Sequence, residues 1–289
     1  MLPFALTGEA GASPLVFDSP HSWPEWPAEA TMPLVPRQVL LTSWDAYVDE
    51  LWAHALEGAV PLLAARFHRA CIDANRGRDD IDAQMLQGAW PTLLNPTRKS
   101  AVGMGLIRRE ALPGVPMYSA KLPVAEVRAR IERYYDPYHA ELERLIDAAH
   151  QRFGLACHVD CHSMKSVGNA MNDDAGRARP DIVVSDLDGR SSARVFTAHV
   201  ATGLAELGLR VQVNEPYKGA ELLRRHGRPS RGRHSVQIEI NRALYMNEKT
   251  FEKAAGFDPL AAQLRRWVRV LRAELEGELG ALLSSPDSP

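Results

Sequence analysis

The sequence predicts an α/β fold, with a mixed and largely parallel sheet flanked by helices on both faces. The first observation is that short apolar runs, typical of buried strands, alternate along the chain with segments of helical periodicity. The second is size and composition, because 289 residues of which 45% are hydrophobic and 24% charged can bury a substantial core. The third is that the sequence has no internal repeat and no linker long enough to separate domains. We therefore expect a single domain over residues 1–289.

The first elements are a strand, a helix and a pair of strands. The apolar run Leu15–Phe17 predicts a short strand. Apolar residues at helical spacing predict a helix from Thr42 to about residue 58, and Thr42 with Asp45 is a possible capping box at its start. The apolar runs 60–65 and 70–72 favour a strand pair.

The segment 76–122 lacks a regular pattern, and long irregular segments inside a compact domain are usually functional or poorly ordered. We expect a loop-rich insertion near the functional site. Helical patterns resume at Pro123, and Pro137 is expected to interrupt them, with Asp136 capping a second helix that Gly154 ends. The remaining expectations are strands at 155–160, 181–185, 209–213 and 236–240, a helix at 192–207, and a mostly helical tail from 248 to about 283 with a break at 256–259.

Charge and cysteine content narrow the classes of function. The chain has 34 basic and 36 acidic residues, a net charge of −2, which argues against a nucleic-acid binder that relies on bulk positive charge. No apolar run approaches the roughly 20 residues that a bilayer span requires. The N-terminus lacks the basic segment of a signal peptide, so the three cysteines are most simply reduced thiols. We expect a cytoplasmic protein that acts on a small molecule, whereas the sequence does not set its oligomeric state.

The densest cluster of reactive side chains is the segment CHVDCHS, which begins at Cys157. Because side chains alternate faces along a strand, Cys157 and Cys161 share a face with apolar residues. His158, Asp160 and His162 share the opposite face. We therefore expect the cysteines in the core rather than on a metal. His162 is expected where the strand ends, at the edge where α/β sheets bind their ligands.

A second histidine, His21, follows the first predicted strand in a turn. Two histidines and one carboxylate form a familiar open zinc site, in which water completes the tetrahedron. Asp45 is a candidate for the carboxylate, although an acid in the first turn of a helix is also a common capping residue. Glu25 and Asp49 compete for the same role. The residues alone leave open which of these side chains converge.

Other polar residues are candidates for catalysis and substrate binding. Glu239 lies on the polar face of its predicted strand, where it could act as a general base or form an ion pair with an arginine. The Asn75-Arg76 pair could bind a carboxylate, which the planar guanidinium fork matches. Lys218 and Arg224 are further cations of this kind. No P-loop, GxGxxG or GxSxG motif is present, which disfavours nucleotide-dependent and serine-hydrolase chemistry.

With these residues in place, the sequence resembles the N-formylglutamate amidohydrolase family from about Val16 to Phe257. Each landmark is modest, but their number and order make the resemblance strong. The landmarks are VFDSPHS (16–22), DAYVDEL (45–51), ARFHRACIDANR (65–76), KLPVAEVRARI (121–131), YYDPYHAEL (134–142), DCHSM (160–164), NEPYKG (214–219) and HSVQIEINRALYM (234–246).

The resemblance implies a fold like that of the zinc carboxypeptidases and the aspartoacylase group, with one zinc per chain. It implies that His21, Asp45 and His162 are the metal ligands. Glu239 matches the catalytic glutamate of the wider zinc group. Asn75 and Arg76 resemble the pair that holds a substrate carboxylate there. Where Trp23 follows His21-Ser22 the family usually has glycine, and this larger side chain could narrow the pocket.

The function that the resemblance implies is hydrolysis of N-formyl-L-glutamate to formate and L-glutamate, late in histidine breakdown. Arg76 would orient the substrate through its carboxylates, with Arg224 and Lys218 in support. A related N-acyl amino acid or a short peptide is the alternative substrate. The alternative from another class is a metal-bearing sensor or binding protein without catalysis, against which the presence of Glu239 argues.

Overall fold

The structure, a computed structural model, describes residues 2–168 and 174–284. Within these residues the main feature is a seven-stranded sheet, and four short strands form two further pairs. The strands are β1 (Phe4–Thr7), β2 (Leu15–Ser19), β3 (Leu62–Ala65), β4 (Leu86–Gln87), β5 (Glu110–Leu112), β6 (Val115–Pro116), β7 (Leu122–Pro123), β8 (Ala156–Met164), β9 (Ile182–Ser185), β10 (Val211–Val213) and β11 (Arg233–Asn241).

The main sheet has the strand order β1-β3-β2-β8-β11-β9-β10. Strand β8 is parallel to both of its neighbours, β2 and β11. Strands β9 and β10 are parallel to each other, whereas β9 pairs antiparallel with β11. The predicted mixed, largely parallel sheet is therefore confirmed. Since β2, β8 and β11 run in one direction, their carboxyl ends lie at the same edge of the sheet.

The helices vary from one turn to five turns in length. No helix among the described residues combines the length and the apolar character that a membrane span needs. The helices are α1 (Arg37–Leu41), α2 (Val48–Leu56), α3 (Arg98–Ala101), α4 (Val124–Arg130), α5 (Asp136–Phe153), α6 (Arg194–Ala205), α7 (Glu221–His226), α8 (Phe257–Leu275) and α9 (Glu278–Leu283), with a π-helical segment at Ile131–Tyr135 and single 3₁₀ turns at Ala83–Met85, Pro229–Arg231 and Arg242–Leu244.

Helices cover both faces of the central strands, as the sequence predicts. On one face Phe17 of β2 packs against Trp52 of α2, with ring centroids 5.0 Å apart, and Trp52 contacts Trp267 of α8 at 6.0 Å. On the opposite face His158 of β8 contacts His226 of α7, with ring centroids 5.8 Å apart. The first face is apolar and forms the main core, whereas the second carries the polar side chains of the strands.

Two compact units divide the chain. The smaller unit holds α1 and the segment of short elements that precedes α5, and the larger unit holds β2, β8 to β11 and α6 to α9. The single domain over residues 1–289 stays a prediction. The smaller unit comprises Met1–Ala5, Pro20–Ala46 and Ala64–Glu141, and the larger comprises Leu6–Ser19, Tyr47–Leu63 and Leu142–Pro289.

The expected capping box at Thr42 is wrong. Helix α2 begins only at Val48, and Thr42 instead follows the last residue of α1, where its hydroxyl donates to the Val39 carbonyl at 2.7 Å. The residue directly before α2 is Tyr47, so Thr42 is too far from this helix to cap it. Asp45 therefore lies between two helices, and its backbone N–H donates to the carbonyl of His21 at 3.1 Å. A cap is thus not the explanation for this carboxylate.

Two further expectations about local structure are wrong. Residues 70–72 form a turn rather than a strand, because Cys71 N–H returns to the His68 carbonyl at 2.9 Å, and only Leu62–Ala65 of the expected pair is a strand. Pro137 does not interrupt the helix, and Asp136 is itself helical. The wider π-helical turn directly before Pro137 accommodates a residue that has no N–H to donate. Gly154 ends α5 in the left-handed conformation (φ 68°), as predicted.

Strands β8 and β11 are longer than the sequence suggested, and the tail is less helical. Strand β8 continues to Met164, so His162 lies inside the strand rather than after it. Helix α8 begins at Phe257, so residues 248–256 are not helical and the expected break at 256–259 is the start of this helix. Pro259 falls in the first turn, where the N–H that proline lacks has no helical partner.

The segment 76–122 is loop-rich, and its being an insertion near the functional site stays a prediction. Its elements are two to four residues long and leave most of the segment irregular. Part of it is nevertheless tightly packed, since a Cβ added to Gly105 would lie 2.5 Å from the Asp80 carbonyl oxygen. This segment is therefore a shaped loop rather than a loose one.

Candidate metal centre and active site

The carboxyl edge of the sheet places two predicted site residues side by side. Glu239 of β11 lies directly opposite His162 of β8 in the parallel register, so both side chains project from the same face of the sheet. Both are buried. Gln237, two residues earlier on the same face, donates its side-chain amide to Glu239 Oε1 at 2.9 Å and so orients the carboxylate.

The second predicted histidine, His21, lies two residues after the end of β2, at the same edge of the sheet. His21, Asp45 and His162 form a cluster in which the ligand atoms all lie within 4.8 Å of one another. All three side chains are buried. The structure thus brings together the three residues that the family resemblance implies as metal ligands.

The distance between His21 and Asp45 suits a shared metal ion. His21 Nδ1 lies 3.5 Å from Asp45 Oδ2. Two ligand atoms at about 2.0–2.2 Å from one tetrahedral zinc are separated by about 3.4 Å. The donor set of two imidazoles and one carboxylate is also one that zinc accepts, with a fourth position left for water. The residues present therefore fit the implied metal.

Each histidine of the cluster also lies against a second buried carboxylate. His21 Nε2 is 2.7 Å from Asp73 Oδ1, and His162 Nε2 is 2.8 Å from Asp160 Oδ1. Metal-binding histidines commonly donate their other ring N–H to a carboxylate, which fixes the tautomer and the ring orientation. The Nε2 hydrogen bond of His21 to Asp73 therefore leaves its Nδ1, which faces Asp45, as the nitrogen that remains for a metal.

Asp73 connects this cluster to neighbouring groups. Its Oδ1 also accepts the Asn75 backbone N–H at 2.9 Å, and its Oδ2 accepts from Arg69 Nη2 at 2.8 Å. Burial alone would raise the pKa of Asp73, but the charges of Arg69, His21 and Arg76 hold it well below its usual range. Asp73 is thus a carboxylate throughout the neutral range, and it ties His21 to the Asn75-Arg76 segment.

Of the three acids that the sequence offers as the third metal ligand, Asp45 differs from Glu25 and Asp49 in its position. Glu25 is exposed and forms an ion pair with Arg37 at 2.6 Å. Asp49 lies in the first turn of α2, a usual position for an acid that favours a helix N-terminus. Asp45 is the carboxylate of the three that joins the histidine cluster.

A serine, a histidine and an aspartate also align across three strands. His158 of β8 lies 2.7 Å from Ser235 Oγ of β11 through Nδ1, and 2.9 Å from Asp18 Oδ1 of β2 through Nε2. The order resembles a hydrolytic triad, but the three side chains are almost completely buried, so no substrate reaches the serine. The arrangement satisfies buried polar groups and links the strands that lead to His21, His162 and Glu239.

The cysteines are in the core, as the strand alternation predicts. Cys71, Cys157 and Cys161 are free thiols and are buried. Burial raises the pKa of Cys71 to about 12, and it raises the pKa values of Cys157 and Cys161 well above the usual thiol value. Thiols of this kind are neither nucleophiles nor metal ligands at neutral pH.

The predicted substrate-binding residues occupy two kinds of environment. Asn75 is buried, and the Arg76 carbonyl accepts from the Tyr135 hydroxyl at 2.8 Å, so this pair lies on a fixed turn. The Lys218 side chain is 61% exposed and lies 3.1 Å from Asp188. The Arg224 side chain is 64% exposed and pairs with Glu221 on its own helix. Binding of substrate by any of these residues stays a prediction.

Sequence reasoning did not identify Asp73 or Arg69 as neighbours of the metal cluster. Asp73 and Arg69 both lie within the landmark 65–76, two and six residues before Asn75. A strand was expected at 70–72, between these two residues, whereas the chain turns there and brings Arg69 and Asp73 together in an i,i+4 ion pair.

A buried cluster of two histidines and a carboxylate, beside a strand-borne glutamate at the carboxyl edge of an α/β sheet, defines a candidate metal-dependent hydrolase. The sequence model of the N-formylglutamate amidohydrolase family matches residues 13–246. The N-formylglutamate deformylase of Pseudomonas putida is 28% identical over 248 residues, which cover 84% of this chain and 85% of that protein.

Solved structures agree. The crystal structure of the N-formylglutamate amidohydrolase of Ralstonia eutropha is 41% identical to this chain with a TM-score of 0.89, and covers 95% of this chain and 98% of that one. A gene product of Agrobacterium tumefaciens shares the fold at a TM-score of 0.65 and 21% identity, covering 94% of this chain and 96% of that one. The chain belongs to the N-formylglutamate amidohydrolase family, and it is an amidohydrolase.

Proposed function

We propose that the chain is a zinc-dependent hydrolase that cleaves the amide of N-formyl-L-glutamate to formate and L-glutamate. The observation that carries the proposal is the cluster of His21, Asp45 and His162, with Glu239 beside His162 in the strand register. The choice of N-formyl-L-glutamate as the substrate is supported by the relatives, which are named N-formylglutamate deformylase and N-formylglutamate amidohydrolase.

The chemistry follows from the positions of the side chains. A zinc ion bound by the cluster would lower the pKa of a bound water toward 7 and polarise the formyl oxygen. Glu239 is the general base that takes the proton of the attacking water and then passes it to the leaving nitrogen. The Gln237 amide keeps its carboxylate oriented for this transfer. Asn75 and Arg76 orient the substrate through a carboxylate, with Lys218 and Arg224 as further candidates.

Two alternatives are kept. The first alternative is an enzyme whose substrate is another N-acyl amino acid or a short peptide. The second is a metal-bearing sensor that binds its ligand without hydrolysing it. Glu239 argues against a sensor, because binding a carboxylated ligand does not require a base beside the metal. A place in histidine degradation and a cytoplasmic location belong to our proposal and are supported by the family resemblance and by the unpaired cysteines.

The proposal is tested by Glu239→Gln, which removes the base and keeps the shape of the side chain. We expect normal zinc content and normal binding of N-formyl-L-glutamate, but a loss of roughly 10²–10⁴ in kcat for formate release. Glu276→Gln is the control, since Glu276 forms only a surface ion pair with Arg272. A Glu239→Gln variant as active as wild type would mean that another residue is the base. A wild-type protein that binds the ligand and releases no formate would favour the sensor.

A further inference from the structure

Arg108 is a cation that, among the residues the structure describes, lies in a charged neighbourhood without an ion-pair partner of its own. It lies in the loop-rich segment, directly after the fully buried residues Leu106 and Ile107. Within residues 2–168 and 174–284, the Arg108 side chain makes no hydrogen bond and no ion pair. The adjacent Arg109, in contrast, is held by Asp82 at 2.8 Å and by Glu110 at 2.9 Å. Two neighbouring arginines thus have opposite roles.

Backbone hydrogen bonds hold Arg108 close to the Asp73 network. The Leu106 carbonyl accepts the N–H of Asp73 at 2.8 Å, and the Leu106 N–H donates to the Asp80 carbonyl at 2.8 Å. Arg108 also forms a bridge with Met104 across the turn at Gly105, which has no room for a side chain. The position of Arg108 relative to Asp73 is therefore fixed by the backbone rather than by an ion pair.

The charges around Arg108 leave an excess of cations. The guanidinium groups of Arg69 and Arg76 repel it, while Asp73 and Asp45 attract it. Asp73 is already bound by Arg69, and Asp45 belongs to the metal cluster. Burial, and after it the charge of Arg69, lowers the pKa of Arg108 to about 9, which still leaves it a cation at neutral pH. Arg108 is only partly buried, so its guanidinium is accessible to an anionic ligand, and the planar fork suits a carboxylate.

We propose that Arg108 binds the side-chain carboxylate of the substrate and so makes the site selective for dicarboxylic N-acyl amino acids. This inference rests on the proposed function. The α-carboxylate is on the carbon that carries the scissile nitrogen, so it must lie near the metal cluster. Asn75-Arg76 suits it, because Asp73 Oδ1 binds both His21 and the Asn75 N–H. Arg108 has no such bond to a ligand residue and is left for the more distant carboxylate.

The test compares two substrates that differ in one charge, N-formyl-L-glutamate and N-formyl-L-glutamine. For Arg108→Met we expect kcat/KM to fall about 10- to 150-fold with formylglutamate, the usual range for a charged hydrogen bond. With formylglutamine we expect a change within about twofold, because its amide has no charge for Arg108 to bind. Arg108→Lys keeps the charge and loses the fork, so its loss with formylglutamate should be smaller. Arg108→Lys also tests the proposal if Arg108→Met does not fold.

Arg109→Met is the matched control, since it removes the same charge from the adjacent residue. We expect it to lower the melting temperature and to leave the ratio of the two kcat/KM values unchanged. An equal loss on both substrates in Arg108→Met, or no loss with formylglutamate, would overturn the proposal. If wild type releases formate from neither substrate, the proposed function fails. In that case, calorimetric titration of wild type with each of the two compounds tests the role of Arg108 separately. Equal affinity of wild type for formylglutamate and formylglutamine would then overturn the proposed role of Arg108.

Discussion

The assignment of Asp45 as a metal ligand can be tested directly by substitution. Its carboxylate is 3.5 Å from His21 Nδ1 and 4.0 Å from Arg69 Nη1. Asp45→Ala takes away one of the three proposed ligands, while Arg69 keeps its ion pair with Asp73. We expect the isolated variant to contain much less than one zinc per chain by elemental analysis, whereas wild type contains one.

The controls for this prediction are Asp49→Ala and Glu25→Ala, the two acids that the sequence left as competitors. Asp49 lies in a helix and Glu25 in an exposed ion pair, so both variants should retain the metal of the wild type. Full zinc content in Asp45→Ala, with loss in either control, would transfer the ligand role to the other acid.

Strand β8 shows how one element serves two purposes. Its apolar face carries Cys157 and Cys161, and its polar face carries His158, Asp160 and His162. Replacing both cysteines by alanine removes buried sulfur atoms from the core. We expect a loss of about 1 kcal/mol or more per site in the free energy of unfolding, measured with denaturant. Zinc content should not change.

Cys71→Ala is the comparison for the cysteine pair, because Cys71 is equally buried but lies outside β8. It should also cost stability without affecting the metal. Loss of zinc from the Cys157→Ala/Cys161→Ala double variant alone would show that the thiols contribute to the metal site and that the assignment of faces is wrong.

The faces of β8 were predictable from sequence because side-chain direction along a strand has a period of two and depends on nothing outside the strand. The start of the helix expected at Thr42 was not predictable in this way, since Thr42 follows the last residue of α1 and its hydroxyl donates to the Val39 carbonyl of that helix. Both options use the same residues, and only the surrounding chain decides between them. Local pattern therefore gave the strand and misplaced the helix boundary.

The metal ligands and the cations differ in the same way. His21 follows the carboxyl end of β2 and His162 lies near the carboxyl end of β8, and a general rule of α/β sheets places ligand sites at this edge. Arg108 is positioned by a hydrogen bond between Leu106 and Asp73, residues 33 positions apart in the chain. No spacing rule connects two such loops. Lys218 and Arg224 look equally suitable in sequence, and only the structure shows that they are exposed and paired with nearby acids.

For the molecule as a whole, the proposed metal ligands come from three distant parts of the chain, at positions 21, 45 and 162. An unfolded chain cannot hold these side chains together, so zinc binds the folded state far better than the unfolded state. The free energy of zinc binding therefore adds to the free energy of unfolding of the protein. Stability should therefore depend on the concentration of free zinc, independently of any catalytic assay.

We expect zinc-free protein to melt at a lower temperature than zinc-loaded protein. At a free zinc concentration of 100 times Kd the stabilisation is about 2.7 kcal/mol, which for a chain of this size raises the melting temperature by about 5 °C or more. Differential scanning calorimetry across a series of buffered zinc concentrations measures this dependence. His162→Ala removes one ligand and should nearly abolish it, while Asp49→Ala should show the full wild-type increase. A His162→Ala variant whose melting temperature rises with zinc as much as that of wild type would place the stabilising metal elsewhere in the chain.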